Sequence, residues 1–418
     1  MDPQSFSLLF AAFVVATLVI KMWLASRHIR YVSQHRATVP EQFAQKIPLA
    51  AHQKAADYTI AKTQLKLILL IVNAAVLIGF TLLGGLQWVS QAIVQFTGPG
   101  MLYQIGLIAT VAVISSIIDL PLDYYKQFRL EEKFGFNKMT PGLFFSDMLK
   151  HSVIVALIGI PLIWVTLTVM EQAGSLWWLY AWMIWCGFQI LMLGLYQNLI
   201  APLFNKFTPL DDDSLKNRIE GLMQRMGFAS KGLFVMDGSR RSAHGNAYFS
   251  GFGSAKRIVF FDTLLSRLAP SEIEAVLAHE LGHFKLNHVI KRIGIMFLIS
   301  LGFLALLGFL KNQTWFYLGL GVMPMMDTSN DAMALILFMF ALPIFTFLFS
   351  PLLSIASRQN EFEADAFASK HSNSQDLISA LVKLYEDNAS TLTPDPLHSA
   401  FYDSHPSASA RIQRLLAI

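Results

Sequence analysis

The sequence predicts a mainly α-helical membrane protein with seven spans and a small α+β region on one side of the bilayer. Three observations predict it. Hydrophobic residues make up 54% of the chain and charged residues only 14%, with a mean hydropathy of +0.48, where soluble domains carry about 25% charge. Seven apolar stretches approach or exceed the roughly 18–20 residues that cross a bilayer as a helix. The basic residues alternate between the connections instead of gathering in one block. That scatter also argues against nucleic acid as the partner of this +4 chain. The single cysteine, Cys186, lies in an apolar run, so there is neither a disulfide framework nor a thiolate metal cluster.

The apolar stretches are approximately Phe6–Ala25, Leu67–Leu83, Met101–Ile118, Val153–Met170, Leu176–Leu195, Ile293–Leu310 and Ala332–Ala356. The first has no Lys or Arg before it and no small-residue cleavage site after it, so it reads as a retained helix and not a signal peptide. The connection after it carries Arg27, Arg30, Arg36, Lys46, Lys54 and Lys62, whereas the next has no basic residue. Lys126, Arg129, Lys133, Lys138 and Lys150 follow span three, and Glu171–Gly174 is again bare. Basic connections stay inside, which places the N-terminus outside and the C-terminus in the cytosol. The chain then divides into a membrane region, 1–200, with an inner loop at 122–150. A cytosolic segment at 201–292, two spans at 293–356 and a cytosolic segment at 357–418 follow.

Within 201–292, Pro209–Phe228 reads as an amphipathic helix, with Leu215, Ile219, Leu222 and Met226 at helical spacing and Asp212, Asp213 and Ser214 as capping groups. Three short β-like runs follow: GLFVMD (232–237), AYFSGF (247–252) and RIVFFD (257–262). Ser271 and Glu274 form a capping-box signature for the helix EAVLAHELGHFKLNHVIKRIG.

That helix carries His279-Glu280-x-x-His283. Residues four apart share a helical face, so the two imidazoles can bind one Zn²⁺ together. Glu280 stands beside the metal, where it can take a proton from the attacking water. Gly282 is expected to present a small surface to the strands. His288 falls off the ligand face and reads as a polar residue at the helix end. The plainer alternative is a helix with surface histidines. A zinc hydrolase needs a third protein ligand and an open position. Leu286 and Val289 exclude the arrangement in which a third histidine follows six residues on. The acidic candidates lie past the seventh span in SRQNEFEADAFA. Glu361 and Asp365 share one face, Glu361 as ligand and Asp365 as acceptor for a ligand histidine's free N–H. Only that face separates Glu361 from Glu363, which reads as a charged helix end.

HELGH, then EFEAD after a membrane hairpin, then HPSASAR resembles the type I CAAX prenyl protease family of zinc metallopeptidases. FRLEEKFGFNKMT and SRRSAHGNAYFSGF agree, in the family's order and over nearly the whole chain. The resemblance implies one zinc ion per chain held by His279, His283 and Glu361, with Glu280 as catalytic base and Asp365 behind the ligands. It implies that His405 steadies the oxyanion, that Arg411 supports the site, and that Asn246, with Ala247 and Tyr248 beside it, meets the substrate backbone. It also implies seven helices around a chamber, which Asn73, Asp119, Gln189 and Asn198 either line or leave to pair between helices. The short outer connections and the lack of a C-terminal retrieval signal point to a bacterial member in the inner membrane. The expected activity is hydrolysis of peptide bonds in CAAX-type, lipidated or membrane-inserted substrates at the lipid bilayer. Two other readings compete. An intramembrane-cleaving protease is disfavoured because Glu272, Glu274, Lys285 and Lys291 make the motif helix too polar to span. A transporter or receptor with a structural zinc would need a fourth protein ligand.

Overall fold

The computed structural model describes residues 1–228, 232–250, 257–326 and 328–418. Among the described residues, seven helices are long and apolar enough to cross a membrane: Pro3–Gln34, Leu49–Phe80, Met101–Glu131, Pro141–Gln172, Gly174–Phe204, His288–Leu310 and Asp331–His371. Each overlaps one predicted apolar run but outlasts it. The 32 residues of Leu49–Phe80 measure about 48 Å at 1.5 Å per residue, well beyond a hydrocarbon core of about 30 Å. Lys54, Lys62 and Lys66 therefore ride on the same helix as the apolar half. Between spans two and three, Gly84 adopts a left-handed conformation that turns the chain into an additional helix, Gly85–Thr97. The sequence reading passed over it because its apolar face is short.

Two cores form. One, within the spans, gathers Phe10, Leu107, Leu167, Leu307, Phe316 and Leu337. At its edge the Lys311 ammonium meets Asp331 at 2.7 Å and the Met170 carbonyl at 2.9 Å, which ties three spans together through a pair that satisfies two buried charges. The other core lies beside a four-stranded sheet. β1 (Phe207–Pro209), β2 (Leu233–Met236), β3 (Ala247–Ser250) and β4 (Arg257–Phe261) are ordered β1-β2-β4-β3. β2 and β4 run parallel, while β1 and β3 pair antiparallel with their neighbours. β1 is three residues long, too short to show an alternating pattern. Of the predicted run 247–252, the last two residues lie outside the described residues.

The amphipathic helix spans Asp213–Arg225, and Asp212 caps it by accepting the Leu215 N–H at 2.9 Å. Its buried Leu215, Ile219 and Leu222 pack with Ile258 and Phe260 of β4, with Ile273, Leu277 and Leu281 of the motif helix, and with Leu377, Leu381 and Ile412 further on. The motif helix starts differently from the expectation. It runs from Pro270 to Lys285, and Glu272, not Glu274, accepts the Ala269 N–H, at 2.7 Å. Proline at the first helical position, where its missing N–H is not needed, moves the cap two residues back. Ser271 turns to Asp376 at 3.1 Å, and Glu274 pairs with Arg218 and Arg225 on the neighbouring helix.

The inner loop is fastened to the sheet side. Asn137 bridges Ser242, Arg241 holds Asp147 at 2.8 Å, and the Tyr58 hydroxyl donates to Glu131 at 2.8 Å. The first span is fastened to the C-terminal segment: Arg27 donates to the fully buried Asp395 at 2.9 Å, and His28 stacks on His398 with centroids 4.0 Å apart. Asn73 and Asp119 line an intramembrane cavity of about 340 Å³. Asn198 does not; it is exposed and donates to the Gly194 carbonyl of its own helix.

Glu272 also accepts from Ser379 and Lys383, each at 2.7 Å. Burial pushes its carboxyl up, but Lys383, Ser379 and the Ala269 N–H together hold it below the ordinary 4.5. Because the folded value is the lower one, this stabilisation is present above pH 4.5 and lost as the pH falls through the folded value. Glu272→Ala should cost about 1–3 kcal/mol at neutral pH. The difference from wild type should shrink on acidification, as read by thermal unfolding in detergent.

Candidate active site

The motif helix turns Ile273, Leu277 and Leu281 into the sheet-side core, which leaves His279 and His283 on the face toward the helix Ser350–His371. Gly282 lies on that face too. A Cβ there would come within 3.2 Å of both Ala364 Cα and Phe367 Cδ1. The expectation that Gly282 faces the strands is therefore corrected: three residues from His279, it shares the ligand face and admits the second helix.

That approach brings Glu361 to the histidines. His279 Nε2 and His283 Nε2 are 3.2 Å apart, and the Glu361 carboxylate lies 3.5 Å from the first and 3.4 Å from the second. Each residue offers one ligand atom, all within 4.8 Å of one another. Zinc bonds of 2.0–2.1 Å in a tetrahedron put ligand atoms about 3.3–3.4 Å apart, close to the spacing of the two histidine nitrogens and of each from one of the two Glu361 oxygens. Glu361 Oε2 is moreover buried without a hydrogen-bond donor, which a cation would satisfy.

Each histidine is held from behind. His279 Nδ1 lies 2.9 Å from Asp365 Oδ1. Asp365 is itself gripped by Arg411 through Nε at 2.8 Å and Nη2 at 2.6 Å. Burial pulls the His279 imidazolium down, but Asp365 and Glu361 outweigh it and push it up to about 9. On the other histidine, His283 Nδ1 lies 3.0 Å from His288 Nδ1, and His288 Nε2 lies 3.1 Å from Glu363. Glu363 can only accept, so His288 Nε2–H donates to it, His288 Nδ1 accepts from His283 Nδ1–H, and the His283 Nε2 lone pair faces Glu361. The reading of His288 and Glu363 as idle helix ends is thus corrected. It treated residues 270–292 as one continuous helix. The chain instead breaks at Asn287, whose φ of 59° is left-handed, and folds His288 back. Asparagine tolerates that conformation and was the available signal.

His405 Nε2 stands 3.4 Å from Glu361 Oε1 with its Nδ1 beside the Ser404 hydroxyl at 2.9 Å. Glu280, Asn246, Ala247, His405 and Arg411 border one cavity of about 860 Å³. Asn246 is exposed, with its carbonyl accepting the Phe261 N–H. Ala247 and Tyr248 follow on β3, the sheet's edge strand, opposite Phe260 and Val259 of β4.

A ligand triangle closed between a His-Glu-x-x-His helix and a helix continuing a membrane span is the architecture of a membrane metallopeptidase. Residues 28–206 match the model for the CAAX prenyl protease N-terminal region of five membrane helices, and residues 209–418 match that of peptidase family M48. The chain belongs to the CAAX prenyl protease family of M48 peptidases. It is 33% identical to CAAX prenyl protease 1 of Saccharomyces cerevisiae, over 98% of this chain and 94% of that one. It is 31% identical to the CAAX prenyl protease 1 homolog of Homo sapiens, over 97% and 95%. The crystal structure of S. mikatae Ste24p superposes with a TM-score of 0.92 at 32% identity, covering 98% of this chain and 99% of that one. The protein is a multi-pass membrane metalloendopeptidase acting on peptide or protein substrates, and the transporter and receptor readings fall away.

His288→Ala should weaken metal affinity by about 10–100-fold, the usual effect of losing a ligand's supporting partner, as read by competition with a chelator. Because a proton on His279 competes with the metal, affinity should rise about tenfold per pH unit toward pH 9 and flatten above it. A pH series of the same titration checks this.

Proposed function

We propose that the metal is a single zinc ion held by His279, His283 and Glu361. The observation that carries this is their cluster with the donorless Glu361 Oε2, beside the cavity that Glu280, His405 and Arg411 border. Zinc bound there supplies a Lewis acid for the scissile carbonyl and makes water a better nucleophile near neutral pH. Glu280 takes the proton of the attacking water and hands it to the leaving amine. His405, whose Nε2 faces the ligand cluster, donates to the developing oxyanion. Asp365 and Arg411 fix His279, as His288 and Glu363 fix His283. Asn246, Ala247 and Tyr248 receive the peptide as a strand added to the side of β3 away from β4, which pairs with no strand among the described residues.

The substrates are membrane-associated or CAAX-type peptides and proteins, including lipidated ones. The names of the relatives, and Glu361 standing on the continuation of a membrane span, support this. The basic inner connections support a cytosolic active site with the N-terminus outside. In a bacterium this means the inner membrane.

Glu280→Gln should leave zinc binding intact and reduce cleavage by a factor on the order of 10²–10⁴. Metal content and cleavage of a farnesylated and an unmodified peptide, measured on one preparation, test this. Wild-type rates with Glu280→Gln overturn the assignment.

A further inference from the structure

The cavity of about 860 Å³ that receives Glu280, Asn246 and His405 is bordered on another side by Lys62, Lys66 and Lys126. Lys62 and Lys66 stand one turn apart on the polar extension of the second span, and Lys126 lies near the end of the third. The Lys66 ammonium lies 3.5 Å from the centre of the Tyr402 ring, and that of Lys62 lies 4.7 Å from that of Tyr58. These contacts aim the ammoniums but leave their charge in place. None of the three lysines forms an ion pair among the described residues, whereas Lys311 and Lys383 do. Two carboxylates act on them from nearby, Glu131 on Lys62 and Asp403 on Lys66; they also accept hydroxyl bonds, from Tyr58 at 2.8 Å and from Ser399 at 2.5 Å. Three ammoniums facing two carboxylates leave an excess of positive charge on a catalytic cavity, which a further anion would balance. Peptides carry their anions as carboxylates. Glu280 and Glu361 repel such a group, so it is drawn toward the lysine side and orients the chain across the site.

We propose that Lys62, Lys66 and Lys126 form a seat for a carboxylate of the peptide substrate, which sets how the peptide lies relative to Glu280. This rests on the peptidase reading of the site above. The test uses the full zinc-loaded chain in vesicles of neutral and of anionic lipid. It compares three peptides of one sequence: a free C-terminal acid, a C-terminal carboxamide, and a carboxamide with an aspartate near its end. Wild type should cut the free acid about 10–100-fold better than the plain carboxamide in kcat/KM, chiefly through KM, as expected for charge-assisted hydrogen bonds.

In the triple variant Lys62→Gln, Lys66→Gln, Lys126→Gln, the acid-to-amide ratio should collapse to about one. The arginine triple, which restores the charge, should keep a preference and so rules out a folding defect. Recovery with the aspartate peptide assigns the seat to a side-chain carboxylate; no recovery assigns it to the chain terminus. The proposal is overturned if amidation leaves the wild-type rate unchanged, or if the glutamine triple slows acid and amide equally. It is also overturned if the loss follows the anionic lipid content, which would make the lysines headgroup contacts. Cleavage of the carboxamide by wild type and its loss in Glu280→Gln report the underlying peptidase reading separately.

Discussion

At Gly282 the motif helix lies against Ala364, so close that a methyl group would stand 3.2 Å from the Ala364 Cα. The site depends on that contact. Glu361 and Asp365 stand on either side of Ala364, one turn apart, so the same approach delivers one carboxylate among the histidine Nε2 atoms and the other to His279 Nδ1. A spacing set by backbone against side chain cannot relax through a rotamer change, so the ligand triangle inherits its rigidity.

Bringing those carboxylates together under cover creates an electrostatic problem. Glu361, Asp365 and Arg411 are all buried, and buried charges persist only when paired and hydrogen-bonded. Arg411 answers Asp365 with two parallel bonds and reaches Glu361 at 3.5 Å. One Glu361 oxygen, Oε2, stays without a hydrogen-bond donor, with His279 Nε2 and Arg411 Nη1 each 3.5 Å away. The fold has thus neutralised the supporting carboxylate with an arginine and left the remaining negative charge facing a place where a cation fits.

Much of this was legible in the chain. The membrane architecture follows from mean hydropathy and charge alternation because lipid imposes length and polarity on every span. The pairing of His279 with His283 follows from helical period alone, and Glu361 and Asp365 from asking which acidic pair shares a face beyond the last span. What stayed hidden depends on events that period does not encode. His288 and Glu363 enter through a single left-handed residue, Asn287, where a continuous helix had been read. Pro270 shifted the helix cap from Glu274 to Glu272. Gly282 was noticed as small, but its neighbour could not be known until two helices far apart in sequence were packed. His405 and Asn246 sit in loops, where spacing carries no information, and only the resemblance singled them out.

The tie between the first span and the C-terminal segment, Arg27 to Asp395 and His28 on His398, bears on how the chain is made. Two members of the candidate metal cluster, His279 and His283, leave the ribosome on one helix. The third follows only after two more spans have been threaded into the bilayer, and Arg411 comes later still. During that interval the nascent chain carries half a metal site and no closed cavity, with its first span waiting for a partner nearly 370 residues downstream. Assembly of the catalytic centre is therefore a post-insertion event, and the hydrolytic machinery stays incomplete while its own membrane helices are being placed.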